Sequence, residues 1–70
     1  MKNLFAERLR ETRNQNGISQ SQFSTLLGVK QNTVSNWELG IRQPDFDMLM
    51  KISKTLDVSA DYLLGLSDTP

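Results

Sequence analysis

The chain has 70 residues, enough for one small domain with a single hydrophobic core and too few for a separate catalytic domain. Because it contains neither cysteine nor histidine, disulfides, thiolate metal sites, thiol nucleophiles and the commonest general base are excluded. The net charge is zero, but residues 1–44 carry +3 and residues 45–70 carry −3, which predicts a basic end and an acidic end.

The N-terminus meets charged residues too early for the apolar part of a signal peptide, and no apolar run approaches the roughly 20 residues of a membrane span. We therefore expect a cytoplasmic protein that does not associate with a membrane. The charge asymmetry is compatible with nucleic-acid binding at the basic end, although chance scatter of a few surface charges would explain it too.

Apolar residues at helical spacing predict five helices and no strand. The first is predicted from about Leu4 to Gln15, before a helix stop at Asn16-Gly17. Ser19 opens the second helix, with the capping-box residue Gln22 three positions later. Its predicted buried stripe is Phe23, Leu26 and Leu27.

The third helix follows after only three residues, Gly28-Val29-Lys30, and is predicted from about Gln31 to Leu39. Two short helices across a tight glycine turn are typical of a helix-turn-helix. Asp45 is the expected cap of a fourth helix and Ser59 of a short fifth one, which runs from Ala60 to Leu64. The predicted apolar face of the fourth helix is Phe46, Leu49, Ile52 and Leu56.

The predicted fold is therefore all-α, a compact five-helix domain over residues 1–66 with a flexible tail or linker start at 67–70.

The third helix has an unusual polar side. If Val34 points inward, so do Trp37 and Glu38, which makes Trp37 a core or flank residue. The outward side then carries only amides and hydroxyls: Asn32, Thr33, Ser35 and Asn36.

Asparagine, serine and threonine are mediocre helix formers, so stability does not explain their choice on this side. Planar amides can form two hydrogen bonds with the edge of adenine, and Gln31 at the helix start could do the same. The alternative explanation is an ordinary polar surface.

The motifs at residues 19–24, 27–29 and 33–40, followed by Pro44, resemble the Cro/CI-type helix-turn-helix family, also described as XRE-like or lambda-repressor-like. The likeness continues through that family's fourth and fifth helices at Leu49, Ile52, Leu56, Val58 and residues 61–65, so it covers nearly the whole chain. Two positions depart from the pattern: Ser24 replaces a common alanine, and Lys30 replaces a serine or threonine cap.

The resemblance implies sequence-specific binding of double-stranded DNA by a transcriptional regulator, a repressor, whose third helix reads the major groove of an operator. It implies base-reading roles for Gln31, Asn32, Ser35 and Asn36. It implies phosphate contacts for Gln20, Lys30, Thr33 and Arg42. It also implies a partly buried ion pair between Arg13 and Glu38, which positions the helices more than it stabilises them.

Because one small domain contacts few base pairs, we expect a homodimer, at least on DNA, on a two-fold operator. Three leucines near the C-terminus are candidates for the partner contact, with core packing as the alternative: Leu63, Leu64 and Leu66. No cofactor is expected, and enzymatic activity is not expected either, since Asp45 and Asp47 are explained by capping and the helix dipole.

Two other functions compete with DNA binding. A protein-interaction module with the same fold would fit the zero net charge, but it should carry apolar anchors on the third helix in place of amides. RNA binding would favour exposed aromatic side chains, and most of the few aromatic residues are expected to be buried.

Overall fold

A computed structural model describes residues 4–70; Met1, Lys2 and Asn3, one lysine of the basic half among them, lie outside the described residues. The helices are α1 (Phe5–Gln15), α2 (Gln20–Leu27), α3 (Gln31–Glu38), α4 (Phe46–Leu56) and α5 (Ala60–Leu64), and residues 4–70 contain no strand. The predicted all-α fold, with its helix-turn-helix formed by α2 and α3, is confirmed. Two predicted bounds are one residue too long: Leu4 precedes α1, and Leu39 follows α3.

Short polar side chains begin three of the helices. Ser19 and Gln22 form the predicted capping box, with the Ser19 hydroxyl accepting at 3.0 Å and the Gln22 side-chain oxygen accepting from the Ser19 N–H at 2.9 Å. Asp45 and Ser59 each accept from the backbone N–H three residues later, at 2.8 and 3.0 Å. Lys30 provides no side-chain cap for α3, as expected for a side chain that has only donors.

The core receives side chains from every helix. Its buried members are Phe5, Leu9, Phe23, Leu27, Val34, Trp37, Ile52, Leu56 and Leu63. On α3 the inward residues are Val34, Trp37 and Glu38, as the helical spacing predicts. The side of α3 opposite these residues is therefore left toward solvent.

Two expectations about apolar residues are wrong, and one open alternative is decided. Leu26 is 57% exposed, because it lies about 80° from the middle of the buried arc formed by Phe23 and Leu27. Phe46 is 85% exposed, because it lies about 120° around α4 from the fully buried Ile52. Leu63 is fully buried, so core packing, the alternative to a partner contact, holds for this leucine.

The turn between α2 and α3 is held from both sides. Gly28 has a φ of 74°, which favours glycine, and the Val29 N–H donates to the Ser24 carbonyl at 3.0 Å. The Lys51 ammonium of α4 donates to the Leu27 carbonyl at the end of α2, at 2.9 Å. The positive charge of Lys51 also interacts favourably with the dipole of α2 at its C-terminus. This contact therefore holds α2 against α4.

Arg8 fastens the C-terminal residues to α1. Its guanidinium donates to the carbonyls of Tyr62 and Ser67, both at 2.6 Å, and lies 4.2 Å from the centroid of the Tyr62 ring. Asp68 pairs with the same guanidinium at 3.3 Å. The side chain of Leu4 packs beside Gly65, where an added Cβ would come within 3.1 Å of it.

Neither a membrane span nor a metal cluster is found in the described part of the chain. No helix within residues 4–70 is both long and apolar enough to cross a lipid bilayer. The same residues contain no group of three or more acidic side chains that could hold a metal ion.

Candidate nucleic-acid interface

The outer face of α3 is formed by the four residues predicted to read bases: Gln31, Asn32, Ser35 and Asn36. Gln31 and Asn32 are exposed, whereas Ser35 and Asn36 are half-buried. None of these four side chains forms a hydrogen bond with another group of residues 4–70. Their donors and acceptors are therefore available to an external partner.

Three of these residues share an open depression with Gln20, the first residue of α2. The depression is lined by Gln20, Gln31, Asn32 and Ser35. Asn36 lies one turn further along α3 and does not line it. The structure thus brings one predicted phosphate contact next to the base-reading candidates, as a helix-turn-helix requires.

The other phosphate candidates lie along α3 and its two ends. Lys30 is exposed immediately before the helix, Thr33 is half-buried in its first turn, and Arg42 is exposed in the following loop. The Asn36 carbonyl accepts from the backbone N–H groups of Ile41 and Arg42, at 3.0 and 3.3 Å, which ties this loop to the helix. Two cations therefore flank the outer face at fixed backbone positions.

Negative charge is scarce in the part of the sequence that forms α2 and α3. The sequence contains no acidic residue between Glu11 and Glu38, and Glu38 is buried and paired with a cation. An outer face with flanking cations and no free carboxylate suits a polyanion even though the net charge is zero.

A buried ion pair supports the back of α3. Arg13 donates from Nε to Glu38 Oε2 at 2.6 Å and from Nη2 to Glu38 Oε1 at 3.0 Å, and its Nη1 donates to the Ile18 carbonyl at 2.7 Å. The two side chains are 10% and 3% exposed. The hydrogen bond to Glu38 raises the pKa of Arg13 above its ordinary value despite the opposing effect of burial, so the guanidinium stays charged.

Gln20 extends this ion pair to α2. Its side-chain Nε2 donates to Glu38 Oε1 at 3.0 Å, so Glu38 connects α1, α2 and α3. Sequence reasoning missed this contact, since the two residues are 18 positions apart and no local spacing relates them. The side chains on the outer face are therefore carried by a helix that is anchored at its back.

The sequence model of the helix-turn-helix family matches residues 9–63, which is most of the chain. The chain belongs to the Cro/CI-type helix-turn-helix family. Within this family, it is 41% identical over 61 residues to the uncharacterised HTH-type transcriptional regulator YqaE of Bacillus subtilis, covering 87% of this chain and 53% of that protein. It is 42% identical over 59 residues to the HTH-type transcriptional regulator ImmR of the same organism, covering 84% of this chain and 46% of that protein.

The chain thus spans about half the length of these two relatives. Among solved structures, the crystal structure of the P22 c2 repressor in complex with a synthetic operator superimposes with a TM-score of 0.83 and 35% identity. The match covers 90% of this chain and 96% of that chain. The fold is that of lambda-repressor-like DNA-binding domains.

Proposed function

We propose that this domain binds double-stranded DNA sequence-specifically and is the DNA-binding part of a transcriptional repressor, with α3 reading the major groove of an operator. The observation that carries the proposal is the outer face of α3, whose amides and hydroxyl form no hydrogen bonds within residues 4–70 while the back of the helix is anchored in the core. The resemblance to an operator-bound repressor domain supports it.

The proposal assigns different contacts to the two kinds of side chain. Gln31, Asn32, Ser35 and Asn36 read base edges, the amides being suited to the N6 and N7 atoms of adenine. Gln20, Lys30, Thr33 and Arg42 contact phosphates and set the register of the helix in the groove. Lys30 and Arg42, the two cations, should account for part of the salt dependence.

We propose further that the domain binds as a homodimer on a two-fold operator, since α3 has only eight residues and covers few base pairs. Phe46, 85% exposed, lines an apolar recess together with Pro44, Leu49 and Leu64. In a two-fold dimer each Phe46 ring would fill the recess of the other copy. Leu66, which is also exposed, is a further candidate for the partner contact.

The dimer can be tested with Phe46→Ser, which removes a ring that is 85% exposed. We expect it to leave binding to a single half-site unchanged and to lower the cooperativity of binding to a two-fold operator. Leu26→Ser, which removes an exposed apolar side chain from α2, is the matched control and should leave cooperativity unchanged. Equal cooperativity of wild type and Phe46→Ser would exclude this surface as the dimer contact.

In this proposal residues 1–66 are the DNA-binding domain and residues 67–70 its tail, which begins where Arg8 holds the Ser67 carbonyl. The domain works in the cytoplasm, without a cofactor and without catalytic activity of its own. Its relatives among transcriptional regulators and a sequence free of histidine and cysteine support this part of the proposal.

The deciding experiment is selection of bound duplexes from a random DNA library at moderate salt, followed by sequencing. An enriched palindrome would support a dimeric operator-binding regulator, and an enriched single half-site would support DNA binding while opposing the dimer. Asn36→Asp, which places a negative charge on the outer face of α3, should abolish the enrichment, whereas Asn14→Asp, at an exposed position of α1, should keep it. No enrichment by the wild type would oppose DNA binding and favour the protein-interaction module.

A further inference from the structure

Gln20 belongs both to the open depression and to the buried ion-pair network. It lines the depression together with Gln31, Asn32 and Ser35. At the same time its Nε2 donates to Glu38 Oε1, 3.0 Å away, on the inner side of α3. Gln20 thus connects the outer surface of the domain to Glu38, which is buried on the inner side of α3.

The carboxylate decides which end of the Gln20 amide faces inward. A carboxylate only accepts hydrogen bonds, so the amide nitrogen must lie toward Glu38 and the amide oxygen on the other branch. A primary amide has two N–H groups, and Glu38 takes one of them. The second N–H of Gln20 has no acceptor within residues 4–70 and remains available.

The ion pair also removes an electrostatic obstacle. Glu38 accepts two hydrogen bonds from Arg13 in addition to the one from Gln20, so its negative charge is compensated by the guanidinium. A phosphate could therefore approach the Gln20 amide without meeting an uncompensated carboxylate. A side chain that is already held in place also loses less conformational freedom when it binds.

We propose that Glu38 is a positioning residue for DNA binding: it holds the Gln20 amide so that the second N–H donates to a phosphate of the DNA backbone. The amide nitrogen then bridges a buried carboxylate and an external phosphate. This inference rests on the proposed DNA-binding function, and it adds to that function a role for a residue that does not itself reach the DNA.

The anchored amide can be tested in the free domain by proton–nitrogen NMR of the glutamine side chains. We expect one Gln20 amide proton to exchange with water clearly more slowly than those of Gln15, which is exposed at the end of α1. Equal exchange at the two glutamines would overturn the inference. This measurement needs no DNA, so its outcome is independent of the proposed function.

The phosphate contact can be tested on a selected duplex in which single phosphates are replaced in turn by neutral methylphosphonates. We expect Gln20→Met to weaken binding roughly ten-fold, which corresponds to the loss of about one charge-assisted hydrogen bond. At one phosphate position, the methylphosphonate should weaken binding of the wild type but leave binding of Gln20→Met unchanged. The salt slope should stay unchanged because glutamine is uncharged. Gln15→Met is the matched control and should bind as the wild type does.

The positioning role of Glu38 requires a background without the ion pair. In the double variant Arg13→Met with Glu38→Leu, which replaces the pair by apolar side chains of similar size, Gln20→Met should weaken binding less than three-fold, well below its ten-fold effect in the wild type. The same ten-fold effect in both backgrounds would overturn the role of Glu38. Failure of the wild type to bind any duplex would instead overturn the proposed function.

If the double variant does not fold, judged by far-UV circular dichroism, Gln20→Glu provides the second test. It places a carboxylate against Glu38 and the phosphate, and we expect it to bind more weakly than Gln20→Met. Binding by Gln20→Glu equal to or tighter than that of Gln20→Met would overturn the inference.

Discussion

Replacing Arg13 by methionine removes the cation of the buried ion pair and keeps most of the side-chain volume. The Glu38 carboxylate, 3% exposed, would then retain one hydrogen bond, from Gln20, and no compensating charge. Removing one partner of a buried ion pair costs about 3–5 kcal/mol, because the remaining charge stays desolvated. Exposed ion pairs contribute far less, so this estimate depends on the burial of both side chains.

That loss is large for a domain of this size. At roughly 0.05–0.15 kcal/mol per residue, the free energy of unfolding of the domain should be about 4–10 kcal/mol. Arg13→Met should therefore lose between about a third and all of its free energy of unfolding, although the pair itself contributes little net stability. The double variant Arg13→Met with Glu38→Leu should recover most of the loss, because it leaves no buried charge.

Urea unfolding followed by far-UV circular dichroism measures these differences directly. A deficit below about 1 kcal/mol at neutral pH would refute the reasoning, as would a double variant less stable than Arg13→Met.

Three further predictions concern the DNA contacts, a cap and two turns. Asn36→Ala should relax discrimination at one base position in a selection experiment, whereas Arg42→Ala should weaken all sequences alike and lower the salt slope by about one unit. Ser19→Ala should cost about 1 kcal/mol in urea unfolding, because α2 loses its capping box. Gly17→Ala, with open space around the added methyl, should cost about 1–2 kcal/mol from its positive φ alone, and Gly65→Ala should cost more because a leucine side chain crowds the site.

Local patterns in the sequence are sufficient to predict the helices of this domain. Three helix starts are predicted from capping residues that accept a hydrogen bond from the backbone three positions later, and all three hydrogen bonds are present: those of Ser19, Asp45 and Ser59. The same locality explains the inward side of α3, since the angle between Val34 and Glu38 follows from helix geometry. Both kinds of inference need only one helix at a time.

The errors come from features that depend on how helices meet. Leu26 and Phe46 have the right spacing for an apolar stripe, but the buried arc of each helix is narrower than the stripe. The bonds from Gln20 to Glu38, from Lys51 to the Leu27 carbonyl and from Arg8 to the C-terminal residues join distant parts of the chain. No spacing rule gives such contacts, because they depend on the relative positions of packed helices.

The single tryptophan of the chain lies on α3 and is 4% exposed. Its indole emission therefore reports on the environment of α3, because no other tryptophan contributes to the signal. Because Trp37 faces the core and the outer face of α3 lies on the other side, occupying that face should leave the emission wavelength nearly unchanged, whereas unfolding should shift it to the red. The emission wavelength thus shows whether a variant that fails to bind in a separate assay is still folded.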